Sequence, residues 1–193
     1  MRDSTSVGGP VAGPGAGPAG LGRAADALAL RVAADGSHRA VVLIDGRSGS
    51  GKSTLASALV SRIPGAQLVR LDDVYPGWHG LEAASEAVVS SILRSSSPGY
   101  RRWDWMLSEP SEWVPVEGDE PLVVEGAGAL TRAAAKQATM RVWVTLDAAT
   151  RYARAMARDG AAYEPWWDVW AAQEERHIAA NDPLSLADVI VPG

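Results

Sequence analysis

Short apolar runs alternate along the chain with longer segments in which apolar residues recur every three or four positions. The short runs are typical of strands buried on both faces of a parallel sheet. Five such strands are predicted, at residues 40–44, 67–71, 122–125, 141–146 and 187–191. The longer segments predict helices at residues 21–34, 52–62, 81–93, 148–158 and 166–180, with an alanine-rich helix after residue 125. Strands that alternate with helices predict a three-layer α/β/α sandwich around a five-stranded parallel sheet.

Two segments do not follow these patterns. Residues 1–20 are rich in glycine, proline and alanine, which predicts a flexible tail. Residues 21–193 then form one domain, since a chain of this length suits a single hydrophobic core. Within that domain, residues 95–118 combine prolines with three tryptophans and predict an irregular segment.

A glycine-rich motif follows the first predicted strand and opens the next helix. Residues 46–53 match the pattern G-x-x-x-x-G-K-[ST], in which successive backbone amides point at phosphate oxygens. Lys52 is placed to reach the β- and γ-phosphates, and the Ser53 hydroxyl is placed to coordinate Mg²⁺. The motif therefore predicts a P-loop NTPase that binds ATP or a close relative. The predicted ATP-binding residues are Gly46, Arg47, Ser48, Gly49, Ser50, Gly51, Lys52, Ser53 and Thr54.

Acidic residues lie at or just beyond the ends of three predicted strands, at the edge of the sheet where α/β folds bind ligands: Asp45, Asp72 and Glu125. Asp72 suits the general base that phosphoryl transfer to a hydroxyl requires. A turn or helix cap formed together with Asp73 is the alternative. Glu125 suits Mg²⁺, held directly or through water, and a surface glutamate after a strand is its alternative.

Three arginines, Arg151, Arg154 and Arg158, share one face of a predicted helix. Such a face suits a short helical lid that closes over the phosphates and stabilises negative charge in the transition state. The chain has 16 arginines and two lysines, so a solvated, arginine-rich helix face is the alternative. The spacing alone leaves both hypotheses open.

Aromatic and charged side chains are densest at residues 100–105. Rings in this segment can stack on a planar ligand while Asp104 accepts hydrogen bonds from its hydroxyls. A loop anchored by buried indoles is the alternative. The tryptophans of the last long helix, Trp166, Trp167 and Trp170, are predicted to pack in the core. No role is predicted for the isolated histidines His79 and His177.

Together these motifs resemble the uridine kinase-like branch of the P-loop kinases, which includes phosphoribulokinase, pantothenate kinase and nicotinamide riboside kinase. GRSGSGKST resembles the phosphate loop of this branch. LDDVY resembles its strand-end motif, which implies that Asp72 is the base and places Tyr75 beside the acceptor. VVEGAGAL resembles its E-G segment, which implicates Glu125 in Mg²⁺ binding.

The resemblance extends over residues 41–193. LDAATRYARAMARDG is similar to the lid of this branch, which implies phosphate contacts for its arginines, and ADVIVPG is similar to the closing strand. WDW resembles a segment beside the acceptor. The acceptor-binding residues that follow are Asp72, Tyr75, Tyr100, Arg102, Trp103, Asp104 and Trp105, and the implied catalytic residues are Asp72, Lys52, Arg151, Arg154 and Arg158.

The resemblance implies an ATP-dependent kinase, with Mg²⁺ as cofactor, that phosphorylates a small-molecule hydroxyl. A nucleoside is the leading acceptor. Sugars, vitamin precursors and biosynthetic intermediates are the alternative acceptors, because residues 76–86 lack the acidic, His-Pro-containing stretch with which uridine kinases contact the sugar. A nucleotide-binding regulatory protein is the alternative from another class, although Asp72 and the WDW segment favour a transferase.

The charge and composition of the chain limit the classes of partner that are expected. The net charge of −5 disfavours a general nucleic-acid binder. No apolar run approaches the roughly 18 residues that span a bilayer, so no membrane partner is expected. The chain has no cysteine, which is compatible with a reducing cytosol, and a cytoplasmic protein is expected.

Overall fold

The computed structural model describes residues 17–193. Its helices are Gly17–Asp35 (α1), Lys52–Val60 (α2), Leu81–Ala87 (α3), Ala148–Asp159 (α4), Trp167–Asn181 (α5) and Pro183–Leu186 (α6). Its strands are Val41–Gly46 (β1), Gln67–Arg70 (β2), Gly99–Asp104 (β3), Glu109–Pro115 (β4), Leu122–Glu125 (β5), Met140–Thr145 (β6) and Val189–Pro192 (β7).

Five of these strands form a parallel sheet in the order β2-β5-β1-β6-β7. Every residue of the central strand β1 is buried, as expected for a strand covered on both faces. Ile44 of β1 lies opposite Glu125 of β5, and Arg70 of β2 pairs with the same glutamate. The carboxyl ends of β1, β2 and β5 therefore meet at one edge. The predicted three-layer α/β fold with a five-stranded parallel sheet is confirmed.

Helices cover both faces of the sheet because neighbouring residues of β1 point to opposite sides. Val42 and Ile44 pack in one core with Leu28 of α1 and Leu55 of α2. Leu43 packs on the other face, in a core to which α3 and α5 contribute. The two cores hold β1 rigidly, and with it the start of the loop that follows.

Residues 95–118 are not irregular, and that prediction was wrong: β3 and β4 pair as an antiparallel hairpin. Tyr100 lies opposite Val114, a pairing of aromatic and β-branched side chains that stabilises neighbouring strands. Asp104 ends β3 and accepts hydrogen bonds from two amides of the turn, at 2.8 and 3.0 Å. Two of the segment's prolines lie within β4, where the edge of a two-stranded ribbon tolerates the missing donor.

The alanine-rich segment after β5 also differs from its prediction. It contains only a short 3-10 turn, Ala134–Lys136, instead of a helix. The amides of Gly128 and Leu130 donate to the Asp45 carboxylate, at 3.1 and 2.8 Å, and not to helix carbonyls. A side chain from β1 thus holds this segment as a loop.

Helix α1 begins at Gly17, before the predicted start, so residues 17–20 belong to the helix and not to the tail. The rest of the predicted tail, residues 1–16, lies outside the described residues. Leu21 and Leu28 are buried and anchor α1 on the sheet. Within residues 17–193, no helix is both long and apolar enough to cross a bilayer.

Candidate active site

A cleft of about 840 Å³ opens at the carboxyl edge of the sheet. Its walls are the phosphate loop (residues 46–53), the segments that follow β2 and β5, helix α4 and the first turn of α1. A cleft of this size suits a small-molecule ligand. The predicted site residues that line it are Ser48, Gly49, Gly51, Lys52, Ser53, Thr54, Asp72, Tyr75, Trp105, Glu125, Arg154 and Arg158.

The phosphate loop turns tightly against the helices around it. Gly49 has a φ of +78°, and a Cβ there would lie 2.3 Å from the carbonyl oxygen of Arg151 in α4. Gly51 has a φ of +103°, and its Cβ would lie 3.1 Å from Leu21 of α1. Both positions therefore require glycine. The loop runs directly into α2 at Lys52, and the amides of a first helical turn are ready partners for an anion.

Lys52 is largely buried at the end of this loop, and its Nζ donates to the carbonyl oxygen of Arg47 at 3.2 Å. The Arg47 side chain itself is held by α5: its Nε donates to Glu174 at 2.9 Å, and its Nη1 pairs with Glu175. Arg47 does not line the cleft, and its predicted part in ATP binding stays a prediction. Two further predicted ATP-binding residues do not line the cleft either, Gly46 and Ser50.

Glu125 ends β5 at the floor of the cleft, with 2% of its surface exposed. Burial raises the pKa of its carboxyl, and the ammonium of Lys52 partly opposes that shift. Its Oε1 is buried without a hydrogen-bond partner among the described residues, and Arg70 Nε lies 3.8 Å from it. The Ser53 hydroxyl lies beside the same carboxyl.

An orphaned carboxylate oxygen next to a hydroxyl fits a hard cation such as Mg²⁺. Among residues 17–193, no group of three or more acidic or histidine side chains is placed to hold a metal ion alone. Mg²⁺ commonly binds one or two protein ligands and completes its shell with phosphate oxygens and water. The donor set of Ser53 and Glu125 has that composition, so the residues present fit the ion.

Asp72 lies in a 3-10 turn, Leu71–Asp73, directly after β2. Its side chain is exposed and lines the cleft. Its carbonyl oxygen accepts a hydrogen bond from Nε1 of Trp105 at 2.8 Å. The N-cap position of this turn is Arg70, and no side chain caps it, so the geometry does not support the capping alternative for Asp72.

The three arginines of α4 do not share one environment. Arg154 and Arg158 line the cleft. Arg151 is 6% exposed and lies behind the phosphate loop, where its Nε donates to Leu146 and its Nη1 to Ser48, both carbonyl oxygens at 3.2 Å. The loop and α4 pack against each other at this point, so Arg151 does not line the cleft, and its predicted contact with the phosphates stays a prediction.

One residue of the 100–105 segment lines the cleft, Trp105 at the turn of the hairpin. Tyr100 is buried in the core, Arg102 forms an ion pair on the hairpin surface, and Asp104 closes the turn. The predicted acceptor contacts that lie outside the cleft are Tyr100, Arg102, Trp103 and Asp104. Hairpin formation explains the difference, since it turns these side chains toward the core, the surface and the turn.

Sequence analysis missed most of an aromatic wall, which we define as Trp78, Trp105, Tyr163 and Trp170, all lining the cleft. The centroid of Trp78 lies 4.9 Å from that of Trp105 and 5.5 Å from that of the nearly parallel Tyr163. Trp170, assigned to packing, meets Tyr75 edge-on at 4.7 Å. The predicted acceptor residue Tyr75 lines the cleft too, with its hydroxyl donated to Ala127 at 2.9 Å. This end of the cleft presents mainly ring surfaces.

Sequence analysis also missed the buried polar face of α5. Gln173 donates to the carbonyl oxygen of Trp78 at 2.7 Å, and Glu174 accepts from the amide of Ser48 at 2.6 Å. His177, which was assigned no role, lies 3.0 Å from Asp45. The signal was present in the sequence: these residues stand three, four and seven positions after Trp170, on one helix face.

Comparisons with known proteins agree with the fold. No family model matches the sequence, and no curated protein matches it. A possible uridine kinase from Bacillus stearothermophilus is similar in structure, with a TM-score of 0.63 and 18% identity, over 89% of this chain and 98% of that one. A structure described as a fructose transport system kinase from Silicibacter sp. TM1040 has a TM-score of 0.54 and 19% identity, with the same coverage.

The chain therefore has the three-layer α/β fold of the P-loop kinases. Both similarities are consistent with the uridine kinase-like branch that its motifs resemble, and at these identities they establish the shared fold.

Proposed function

We propose that this protein transfers the γ-phosphoryl group of ATP to a hydroxyl of a small molecule, with a nucleoside as the leading acceptor. The observation that carries the proposal is the meeting of four groups in one cleft. Lys52, Ser53, Asp72 and Glu125 come from three separate segments of the chain, and all line it. These are the group types that phosphoryl transfer needs: a cation for the phosphates, a metal ligand pair and a base.

The donor phosphates bind to the loop amides and to the ammonium of Lys52. Arg154 and Arg158 approach from α4 and neutralise the charge that spreads over the transferred group. Ser53 and Glu125 hold Mg²⁺, which supplies further neutralisation of the phosphate oxygens when bound. Catalysis in such a site is mostly positioning and electrostatics.

Asp72 orients the acceptor hydroxyl and takes its proton. The acceptor oxygen forms the new bond to the γ-phosphorus while the bond between that phosphorus and the bridging oxygen of ADP breaks. The proton moves to the Asp72 carboxylate, which is exposed in the cleft and lies next to Trp105 of the aromatic wall.

The aromatic wall supports an acceptor that carries a ring. Rings stack in offset or edge-on arrangements, and Trp105, which is 39% exposed, lines the cleft beside Asp72. One similar structure is described as a possible uridine kinase and the other as a kinase of a fructose transport system. Nucleosides and sugars both belong in the first panel of acceptors.

The donor half of the proposal is tested by nucleotide binding. Lys52→Ala should weaken the binding of Mg-ATP by about 100-fold or more, because a buried charge-assisted contact to phosphate is lost. Lys136→Ala removes the other lysine, which is exposed and lies outside the cleft, and serves as the control. Wild-type protein that binds no nucleoside triphosphate would end the proposal.

The acceptor half is tested by ADP release against a panel of nucleosides and sugars. Trp105→Leu should raise the KM for the best acceptor, whereas Trp113→Leu should leave it unchanged. The two tryptophans are matched, since both stand on the hairpin and both are 39% exposed, but only Trp105 lines the cleft. Nucleotide binding without stimulation by any acceptor favours the regulatory alternative.

A further inference from the structure

The carboxylate of Glu174 is buried against the phosphate loop. It belongs to α5, with 3% of its surface exposed. One oxygen accepts a hydrogen bond from the amide of Ser48 at 2.6 Å, and the other accepts from Nε of Arg47 at 2.9 Å. Two consecutive residues of the loop are thus fixed by one side chain from a distant part of the chain.

The peptide at Ser48 is held from both sides. Its amide donates to Glu174, and its carbonyl oxygen accepts from Arg151 of α4. Helices α4 and α5 therefore fix the first half of the phosphate loop. In the second half, Gly49, Gly51 and Lys52 line the cleft, whereas the amide of Ser50 donates to the carbonyl oxygen of Arg47 at 3.1 Å.

A buried carboxylate beside an anion site opposes the binding of phosphate unless its charge is balanced. Arg47 and Arg151 both lie near Glu174 and supply that balance. A position needed only for packing would be served as well by an apolar side chain. The contacts made by Glu174 are instead directional, and both end on the loop.

We propose that Glu174 is a positioning residue for nucleotide binding. Its carboxylate fixes the Ser48 peptide and Arg47, so that the loop holds its phosphate-binding conformation before the nucleotide arrives. Such preorganisation raises affinity because less order must be imposed on binding. This inference rests on the proposed function, since it assumes that the loop binds a nucleotide.

The neighbouring Glu175 provides a matched control. It also pairs with Arg47, but its side chain is 62% exposed, and its contact in the structure is with the arginine and not with the loop backbone. Glu174→Gln and Glu175→Gln each remove one negatively charged partner of Arg47. Only the first weakens the contact with the Ser48 amide.

The test is a calorimetric titration of each variant with Mg-ADP, well below its unfolding temperature, with circular dichroism to confirm the fold. Glu174→Gln should bind about tenfold more weakly than wild type, since a charge-assisted hydrogen bond is lost. Glu175→Gln should stay within about twofold, as expected for an exposed ion pair. Glu174→Asp, which keeps the charge but shortens the reach, should fall between them and serves if Glu174→Gln does not fold.

Three results would overturn the inference. A Glu174→Gln variant with a lower melting temperature that binds Mg-ADP as wild type does would leave Glu174 a purely structural residue. Equal losses in both glutamine variants would trace the effect to the charge on Arg47. Tighter binding by Glu174→Gln would show that its charge opposes the nucleotide. If wild type itself binds no Mg-ADP, the proposed function fails first, and this inference fails with it.

Discussion

His177 and Asp45 form a buried pair in which the imidazole Nε2 lies 3.0 Å from a carboxylate oxygen. Asp45 stands at the end of β1, immediately before the phosphate loop. The same carboxylate accepts from the amides of Gly128 and Leu130 in the loop that follows Glu125. One side chain therefore joins the phosphate loop, the segment after Glu125 and helix α5.

This pair predicts a loss of stability in His177→Ala. The substitution leaves a buried carboxylate oxygen without one of its partners, which costs about 1–3 kcal/mol. Urea unfolding followed by circular dichroism measures the change. His38→Ala is the control, because His38 is exposed. Equal unfolding midpoints for the two variants would show that the pair contributes nothing.

If Asp72 is the general base, Asp72→Asn should impair phosphoryl transfer without impairing ATP binding. This variant should keep its affinity for Mg-ATP, because the carboxylate contacts the acceptor and not the loop. Acceptor-dependent ADP release should fall by about 10²–10⁴-fold, the usual contribution of a general base. Asp73→Asn is a matched neighbour that does not line the cleft and should keep its activity. Unchanged turnover in Asp72→Asn would remove Asp72 from the mechanism.

The fold was predictable from the sequence because its strands are buried on both faces. Runs such as residues 122–125 are apolar except for the last residue, and their short length between turn residues favours a covered strand over a helix. The phosphate loop was equally clear, since both the motif and its place between strand and helix were visible. Glu125 and Asp72 followed from the rule that ligands bind at the carboxyl ends of parallel strands.

The acceptor side was less predictable because its residues come together through packing between distant segments. Trp78 and Tyr163 are 85 positions apart, yet their rings lie nearly parallel at 5.5 Å. Asp104 was predicted to contact the acceptor because it lies in the WDW motif, but its carboxylate accepts a hydrogen bond within the hairpin turn. The prolines of this segment gave no indication of a hairpin. A helical spacing placed Arg151 with Arg158, but the two stand about two turns apart along α4, so one lies behind the loop and the other lines the cleft.

The raised pKa of Glu125 predicts opposite effects on stability and activity in Glu125→Gln. Because burial raises the pKa of this carboxyl in the folded protein, the native state binds the proton more tightly than the unfolded chain does. Stability from this group is therefore present at low pH and is lost as pH rises through the native pKa. At neutral pH the ionised carboxylate destabilises the metal-free fold.

Glu125→Gln should accordingly raise the melting temperature of the metal-free protein at pH 7 and abolish the effect of Mg²⁺ on nucleotide affinity. The gain should shrink when both proteins are measured at pH 4, where the wild-type carboxyl is protonated. Differential scanning calorimetry of the metal-free protein at the two pH values checks the first part, and titration with ADP in the presence and absence of Mg²⁺ checks the second. A lower melting temperature at pH 7 would mean that the ionised group stabilises the fold through its contacts with Lys52 and Arg70.

Because Arg151 and Arg158 have different surroundings, replacing Arg151 with alanine should lower stability, whereas replacing Arg158 should lower turnover. Arg151→Ala removes two hydrogen bonds that tie α4 to Ser48 and Leu146, so it should destabilise the protein by about 1–3 kcal/mol and weaken nucleotide binding. Arg158→Ala removes an exposed side chain at the cleft, so its melting temperature should stay close to that of wild type. Its acceptor-dependent turnover should fall by about 10-fold or more, because charge on the transferred group is less well neutralised. Thermal unfolding and steady-state ADP release distinguish the two variants. If Arg151→Ala lost turnover at unchanged stability while Arg158→Ala kept its turnover, Arg151 and not Arg158 would act on the phosphates.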